Sequence, residues 1–164
     1  MRQLWWGLAA LALAGCDYTI PLVKNAAIPI DQQLIGLWQQ ADAGNPTERL
    51  VVLPLGSREY LVVYPAGKPE SMFARGCHWR HPSAPLMQVE WLGTAAGQRP
   101  RDNRTYQYVN YALAGDTLTV RLLNSDVVKR ESPTAEALVQ SILANRDHPD
   151  LYRKPMTFKR LPVE

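Results

Sequence analysis

Cysteine and histidine side chains could bind a metal ion here, and Cys77, His78 and His81 lie close together in the chain. Successive side chains on a strand point to opposite faces, so His78 would point away from the other two. Cys77 and His81 would share a face but stand about 13 Å apart. Metal–ligand bonds of about 2 Å cannot span that distance. The spacing therefore predicts no metal site.

A second group of polar residues, Asp147-His148-Pro149-Asp150, could place a carboxylate beside an imidazole for acid–base chemistry. It falls at the end of a predicted helix, where such residues commonly form exposed caps and turns. The chain has three histidines and lacks a Gly-x-Ser-x-Gly elbow, a P-loop and a His-Glu-x-x-His motif. We expect a protein that is not an enzyme and needs no cofactor.

Aromatic residues that alternate along predicted strands form the candidate ligand-binding set. Tyrosine suits a half-wet surface because it buries a ring while its hydroxyl stays solvated. These side chains could point inward to line a pocket, point outward as an adhesive strip, or simply pack in the core. The set comprises Trp38, Tyr60, Tyr64, Trp91, Tyr106 and Tyr108.

The N-terminus has the features of a secretory signal peptide. Arg2 supplies a positive charge, residues 4–14 are apolar and uncharged, and small residues precede Cys16. Eleven helical residues rise about 16 Å, too little for a hydrocarbon core of roughly 30 Å. Residues 1–15 are therefore predicted to be a signal peptide. Two alternatives to cleavage before Cys16 remain, namely an ordinary secretory signal peptide and a helix that stays uncleaved.

Leu13-Ala14-Gly15-Cys16 resembles the lipobox of bacterial lipoprotein precursors. The resemblance implies cleavage before Cys16, attachment of diacylglycerol to its thiol and a membrane as partner. Asp17 follows the cysteine, and in enteric-type lipoproteins an aspartate there marks retention in the inner membrane. The expected location is the cell envelope, facing the periplasm, with the inner membrane favoured.

Composition limits the remaining possibilities. Removal of fifteen residues from 164 leaves 149, about one ordinary domain. The precursor's net charge of +3 is small and dispersed, so nucleic acid is not an expected partner. With Cys16 committed to lipid, Cys77 has no disulfide partner and is expected to be a small buried hydrophobe.

Beyond Cys16, the sequence predicts a tether and one β domain. Residues 16–33 form the lipidated N-terminus and tether. Its prolines would stiffen it towards an extended form, but partial docking on the domain is favoured because several positions are apolar. Residues 34–164 form the domain, with short strands separated by turn signals. The strands are predicted at residues 34–40, 48–53, 58–64, 71–80, 87–91, 105–113, 117–123 and 156–161.

A single helix is predicted before the last strand. Ser132 suits the N-cap and Pro133 the first helical position, and the apolar face ends near Asn145. Consecutive antiparallel strands avoid exposed edges by closing into a small up-and-down barrel. An open sheet covered by the helix is the alternative.

Gly36-Leu37-Trp38 is similar to the Gly-x-Trp signature of lipocalins, and Arg160 could match the arginine that stacks on that tryptophan. The chain departs from lipocalins because its helix precedes the last strand and the disulfide is absent. It looks more like small, largely uncharacterised lipocalin-like lipoproteins with Ile-Pro-Ile-Asp before the Gly-x-Trp strand. A barrel that binds a small apolar or lipid-like ligand is expected. The alternative is a scaffold lipoprotein of an envelope complex, with a filled barrel and a large exposed apolar patch.

Overall fold

The computed structural model describes residues 17–41, 47–100 and 102–162, so the predicted signal peptide and Cys16 lie outside it. Within these ranges eight antiparallel strands follow one another and close into a barrel, with one α-helix before the last strand. The predicted up-and-down barrel is confirmed. Its elements are β1 (Gly36–Gln40), β2 (Arg49–Leu55), β3 (Glu59–Tyr64), β4 (Met72–Trp79), β5 (Leu86–Thr94), β6 (Tyr106–Ala114), β7 (Thr117–Leu122), α1 (Ala135–Ala144) and β8 (Met156–Arg160).

Alternation along the strands builds the barrel interior. On β7, Leu118, Val120 and Leu122 face inward, as their spacing in the sequence predicts. Trp38 on β1 and Phe158 on β8 belong to the same interior cluster and are almost completely buried. Burial of these apolar side chains, at about 25 cal/mol per Å², is the main favourable term for closing the sheet.

One end of the barrel is closed by Trp38 and Arg160. The two residues are paired across the β1–β8 seam, and the guanidinium carbon lies 4.1 Å from the centre of the indole ring. Trp38 Nε1 donates a hydrogen bond to the Leu34 carbonyl oxygen at 3.0 Å, and Arg160 Nη1 donates to that of Ile35 at 2.8 Å. Trp38, Arg160 and the 3₁₀ turn Gln32–Leu34 together form what we call the plug. The arginine thus stacks on the tryptophan as the resemblance to lipocalins implied.

Gly36 is required next to the plug for steric reasons. A Cβ atom there would lie 2.7 Å from Arg160 Nη1, and the residue has φ +149°. This is a backbone conformation that residues with a side chain rarely adopt. The glycine of the Gly-x-Trp triplet therefore makes room for the arginine that covers the tryptophan.

A second buried cluster lies outside the barrel wall. Tyr18, Tyr108, Leu138 and Ile142 are completely buried there. Tyr18 comes from the N-terminal segment, Tyr108 from the outer face of β6, and Leu138 and Ile142 from α1. The helix and the N-terminal segment therefore cover one outer face of the sheet.

The N-terminal segment before the plug, residues 17–31, runs along the barrel and will be called the strap. The backbone N–H groups of Leu22 and Val23 both donate to Gln88 Oε1, at 2.7 and 2.9 Å. Gln88 Nε2 in turn donates to the Val23 carbonyl oxygen at 3.0 Å. Further along, the Ile30 N–H donates to the Ser57 carbonyl oxygen at the plugged end. The predicted docking of this segment is confirmed.

The predicted start of the helix is wrong by two residues. Thr134, not Ser132, is the N-cap, and its side-chain oxygen accepts a hydrogen bond from the Ala137 N–H at 3.2 Å. Ser132 instead directs its hydroxyl to the Lys129 carbonyl oxygen. Pro133 consequently lies before the cap, where its lack of an N–H costs nothing.

Replacing Arg160 with glutamine should lower the free energy of unfolding by about 1–3 kcal/mol, because stacking on Trp38 and a hydrogen bond to a backbone carbonyl are lost. Urea unfolding followed by tryptophan fluorescence measures this. Lys159→Gln is the matched control on the neighbouring exposed position, and it should change stability little. Equal effects of the two substitutions would contradict the importance of the plug.

Candidate ligand-binding cavity

A cavity of about 490 Å³ fills the barrel between the plug and the opposite end. That opposite end, where β1, β3, β5 and β7 finish, will be called the mouth. The cavity walls are mostly apolar, and they come from strands all around the barrel. A concave apolar space of this size is typical of a small-molecule site. Representative wall residues are Val52, Val62, Met72, Val89, Leu118 and Phe158.

Polar groups on the cavity wall gather near the mouth. Tyr64 Oη lies 2.5 Å from Glu48 Oε2 and 2.7 Å from Gln40 Oε1. Lys68 Nζ lies 3.3 Å from Glu48 Oε1. Glu48 and Tyr64 both line the cavity beside apolar neighbours. The arrangement suits a ligand with an apolar body and a polar end that stays at the mouth.

A tyrosine–histidine pair lies under the cavity, next to the plug. Tyr60 Oη accepts a hydrogen bond from the Asp31 N–H at 2.5 Å and lies 2.8 Å from His78 Nε2. Burial raises the pKa of Tyr60 to about 12. Burial also lowers the pKa of His78, and the nearby Arg80 adds to this effect while Asp31 opposes it. The pair is therefore uncharged at neutral pH and compatible with an apolar cavity floor.

The six candidate aromatic residues do not point together. Tyr64 and Trp91 line the cavity. Trp38 and Tyr60 are buried in the barrel interior around the plug. The remaining two, Tyr106 and Tyr108, lie on the outer face of β6, where the strap and α1 cover them.

The aromatic residue that β6 does contribute to the cavity is Tyr111, which the candidate set lacks. Gln107, Val109 and Tyr111 are spaced two positions apart on β6, so they share its inner face, and all three line the cavity. Inside the barrel the ring centre of Tyr111 lies 6.0 Å from that of His78. The signal that could identify it is the in-register pairing of Tyr111 with Val120, which faces inward on β7.

Cys77 and His78 lie on opposite faces of β4. Cys77 lines a small space of about 200 Å³ beneath the strap, together with Gln88 and Glu90. Burial raises the pKa of the Cys77 thiol to about 11, so little of it is thiolate at neutral pH. In the described ranges of the chain, no three potential ligands converge as a metal site would require. His148, the other candidate for chemistry, is exposed and accepts a turn hydrogen bond from the Asp150 N–H at 3.1 Å.

Asp17 attaches the start of the strap to the segment that joins β7 and β8. Its Oδ2 lies 2.8 Å from Arg153 Nη2, and its Oδ1 lies 3.9 Å from Arg130 Nη2. Arg153 Nη2 also donates to Ser125 Oγ at 3.1 Å. The carboxylate is mostly buried, with 11 % of the side chain exposed. We call Asp17, Arg130 and Arg153 the clamp.

The fold and the site together define a small antiparallel β-barrel with an apolar cavity that is plugged at one end. Comparisons with protein-family models, with curated proteins and with solved structures find no match to this chain. Among residues 17–41, 47–100 and 102–162, every helix is too short or too polar to span a bilayer.

The lowered pKa of His78 predicts that the barrel loses stability in mild acid. The unfolded chain takes up a proton as the pH falls through about 6.5, while the folded chain does not until a lower pH. The free energy of unfolding should therefore decrease between pH 7.5 and 5.5. Urea unfolding at several pH values should show a smaller decrease for His78→Gln, whereas His148→Gln on the surface should behave like the wild type. Identical profiles for all three chains would contradict the assignment.

Proposed function

We propose that this protein is a lipid-anchored binding module of the bacterial cell envelope, which takes a small lipid-like ligand into its barrel. The observation that carries the proposal is the apolar cavity of about 490 Å³. The barrel could have been filled by its own side chains, since an eight-stranded barrel is narrow enough for that. A filled barrel is what the alternative scaffold function required, so the cavity favours a ligand.

The cavity volume limits the ligand to a single chain. A methylene group occupies about as much volume as a water molecule in the liquid, roughly 30 Å³. A volume of 490 Å³ then holds one acyl chain of ordinary length, not the two chains of a diacyl lipid. Each methylene buried contributes about 0.8 kcal/mol, enough for firm binding after the cost of association. A headgroup would remain among the polar groups of the mouth.

The membrane anchor is the second part of the proposal. It rests on the sequence, in which an uncharged apolar run ends in small residues and Cys16. Several acyl chains on one cysteine hold a protein stably at a bilayer, whereas one chain binds only marginally. The proposed location is the periplasmic face of the envelope. The inner membrane, favoured by Asp17, remains part of the proposal.

Ligand binding is tested with the chain from Asp17 onward, which contains the whole barrel and both buried clusters. The neutral fluorophore N-phenyl-1-naphthylamine should brighten on binding and be displaced by a single-chain lipid. Ala74→Phe places a ring in the cavity and should lower the affinity at least about tenfold. Ala112→Phe, exposed on the outside of β6, is the matched control and should bind normally. Binding that survives Ala74→Phe would rule out the cavity as the site.

Native mass spectrometry of the same chain, purified from the periplasm without detergent, tests for a natural ligand. A reproducible added mass that disappears on denaturation is expected. Its fragmentation would identify the chemical class of the ligand. A bare monomer, together with absence of fluorophore binding, would shift support to the scaffold function.

Replacing Cys16 with serine tests the anchor. The thiol that accepts diacylglycerol would be lost, so the variant should accumulate as an unprocessed precursor without labelled palmitate. Cys77→Ser is the matched control and should be processed and labelled like the wild type. Normal lipid incorporation into Cys16→Ser would exclude Cys16 as the attachment site.

A further inference from the structure

The chain next to Cys16 is fixed at the mouth of the barrel. Tyr18 pairs with Tyr106, the first residue of β6, through two backbone hydrogen bonds of 3.0 Å. Because β6 begins at the mouth, this bridge lies at the mouth as well. The clamp holds Asp17 at the same place, with its carboxylate 2.8 Å from Arg153.

The side chain of Tyr18 also holds this segment on the outer face of the barrel. Its ring is completely buried, and its centre lies 5.2 Å from that of Tyr108. Its hydroxyl donates to the Val128 carbonyl oxygen at 3.0 Å. From there the strap runs away from the mouth and reaches the plug at Asp31. The described chain therefore leaves no free tether between Asp17 and the barrel.

We infer that the lipid on Cys16 holds the mouth of the barrel against the bilayer, so that the cavity exchanges its single-chain ligand directly with the adjacent leaflet. Consecutive Cα atoms lie about 3.8 Å apart, so a lipid on Cys16 is one residue from the clamp. The plugged end is farther from the anchor by about 20 Å along the barrel axis, because the nine residues of β6 extend about 30 Å and strands in a barrel tilt by about 40°. This inference rests on the proposed function, and it adds the orientation of the barrel and the source of the ligand.

The direct route avoids an unfavourable step. A single-chain lipid that crosses water exposes its methylenes, each at a cost of about 0.8 kcal/mol. A mouth that touches the leaflet lets the chain slide from one apolar phase into another. The polar groups around Tyr64 and Glu48 lie at the mouth, the level at which headgroups would remain.

Orientation is tested with the full lipidated chain, purified from membranes and reconstituted into vesicles of phosphatidylcholine and phosphatidylglycerol that carry a headgroup nitroxide. In a Cys77→Ala background, Ala96→Cys provides a label site at the mouth and Ser57→Cys one near the plug. Both positions are exposed. The fluorophore at position 96 should be quenched several-fold more than that at position 57. Equal quenching, stronger quenching at position 57 or a chain without lipid on Cys16 would overturn the inference.

The clamp has its own variant in this experiment. Arg153→Gln removes the closest partner of Asp17 but leaves unchanged the residue that follows Cys16, so processing should not be affected. The difference in quenching between positions 96 and 57 should shrink. Lys154→Gln, an exposed neighbour, is the matched control and should keep the difference. An unchanged difference in Arg153→Gln would show that the clamp does not orient the barrel.

Loading from the leaflet is measured separately, with vesicles that contain a lysophosphatidylcholine brominated on its chain. Trp91 lines the cavity, so a brominated chain inside should quench tryptophan fluorescence, and Ala74→Phe should reduce this quenching. If the labels show the expected orientation but the brominated chain does not quench tryptophan, the proposed ligand is refuted and the orientation stands. If the brominated chain quenches tryptophan but the labels at positions 96 and 57 are quenched equally, the orientation alone is refuted.

Discussion

The pairing of β1 with β8 is the constraint on which the rest of the structure depends. Trp38 and Arg160 are partners in that pairing and also form the plug. Closing the sheet removes its exposed edges, and the same residues seal one end of the space that closure creates. The opposite end is left as the entrance. The position of the seam therefore decides both that the barrel has an interior and that its cavity opens towards the mouth.

The strap and α1 explain a feature that a bare barrel would not have, namely apolar residues on both faces of β6. Tyr108 points outward and is completely buried against Tyr18 and the helix, while Val109 and Tyr111 point inward. Alternation of apolar and polar residues identifies the inner face of a strand only where the outer face meets water. On β7 the outer face carries polar residues, and there the pattern identified Leu118, Val120 and Leu122 correctly.

The contrast between β6 and β7 shows how far the sequence could predict the fold and the site. Strand order was predictable because turn signals between short strands are local, and closure because it removes exposed edges. The stacking of Arg160 on Trp38 was expected only from the resemblance of Gly36-Leu37-Trp38 to the lipocalin signature, because the two residues lie far apart in the chain. The assignment of Tyr106 and Tyr108 to one side of the barrel was not predictable, because it depends on the strap crossing from distant positions. The N-cap was assigned wrongly for a local reason, since Ser132 and Thr134 both carry a hydroxyl, and it is Thr134 that accepts the hydrogen bond from the Ala137 N–H. The clamp is a contact between residues 136 positions apart, which no local pattern contains.

The cavity is the strongest physical argument that the barrel has a ligand. Its walls are mostly apolar and it opens at the mouth, so a ligand chain that displaced water from it would gain about 25 cal/mol for each Å² of apolar surface buried. Small residues such as Ala74 at inward positions keep the space open where larger ones could fill it. The plug, the strap and α1 stabilise the barrel from its closed end and its outer face. They leave the interior free for the single-chain ligand proposed above.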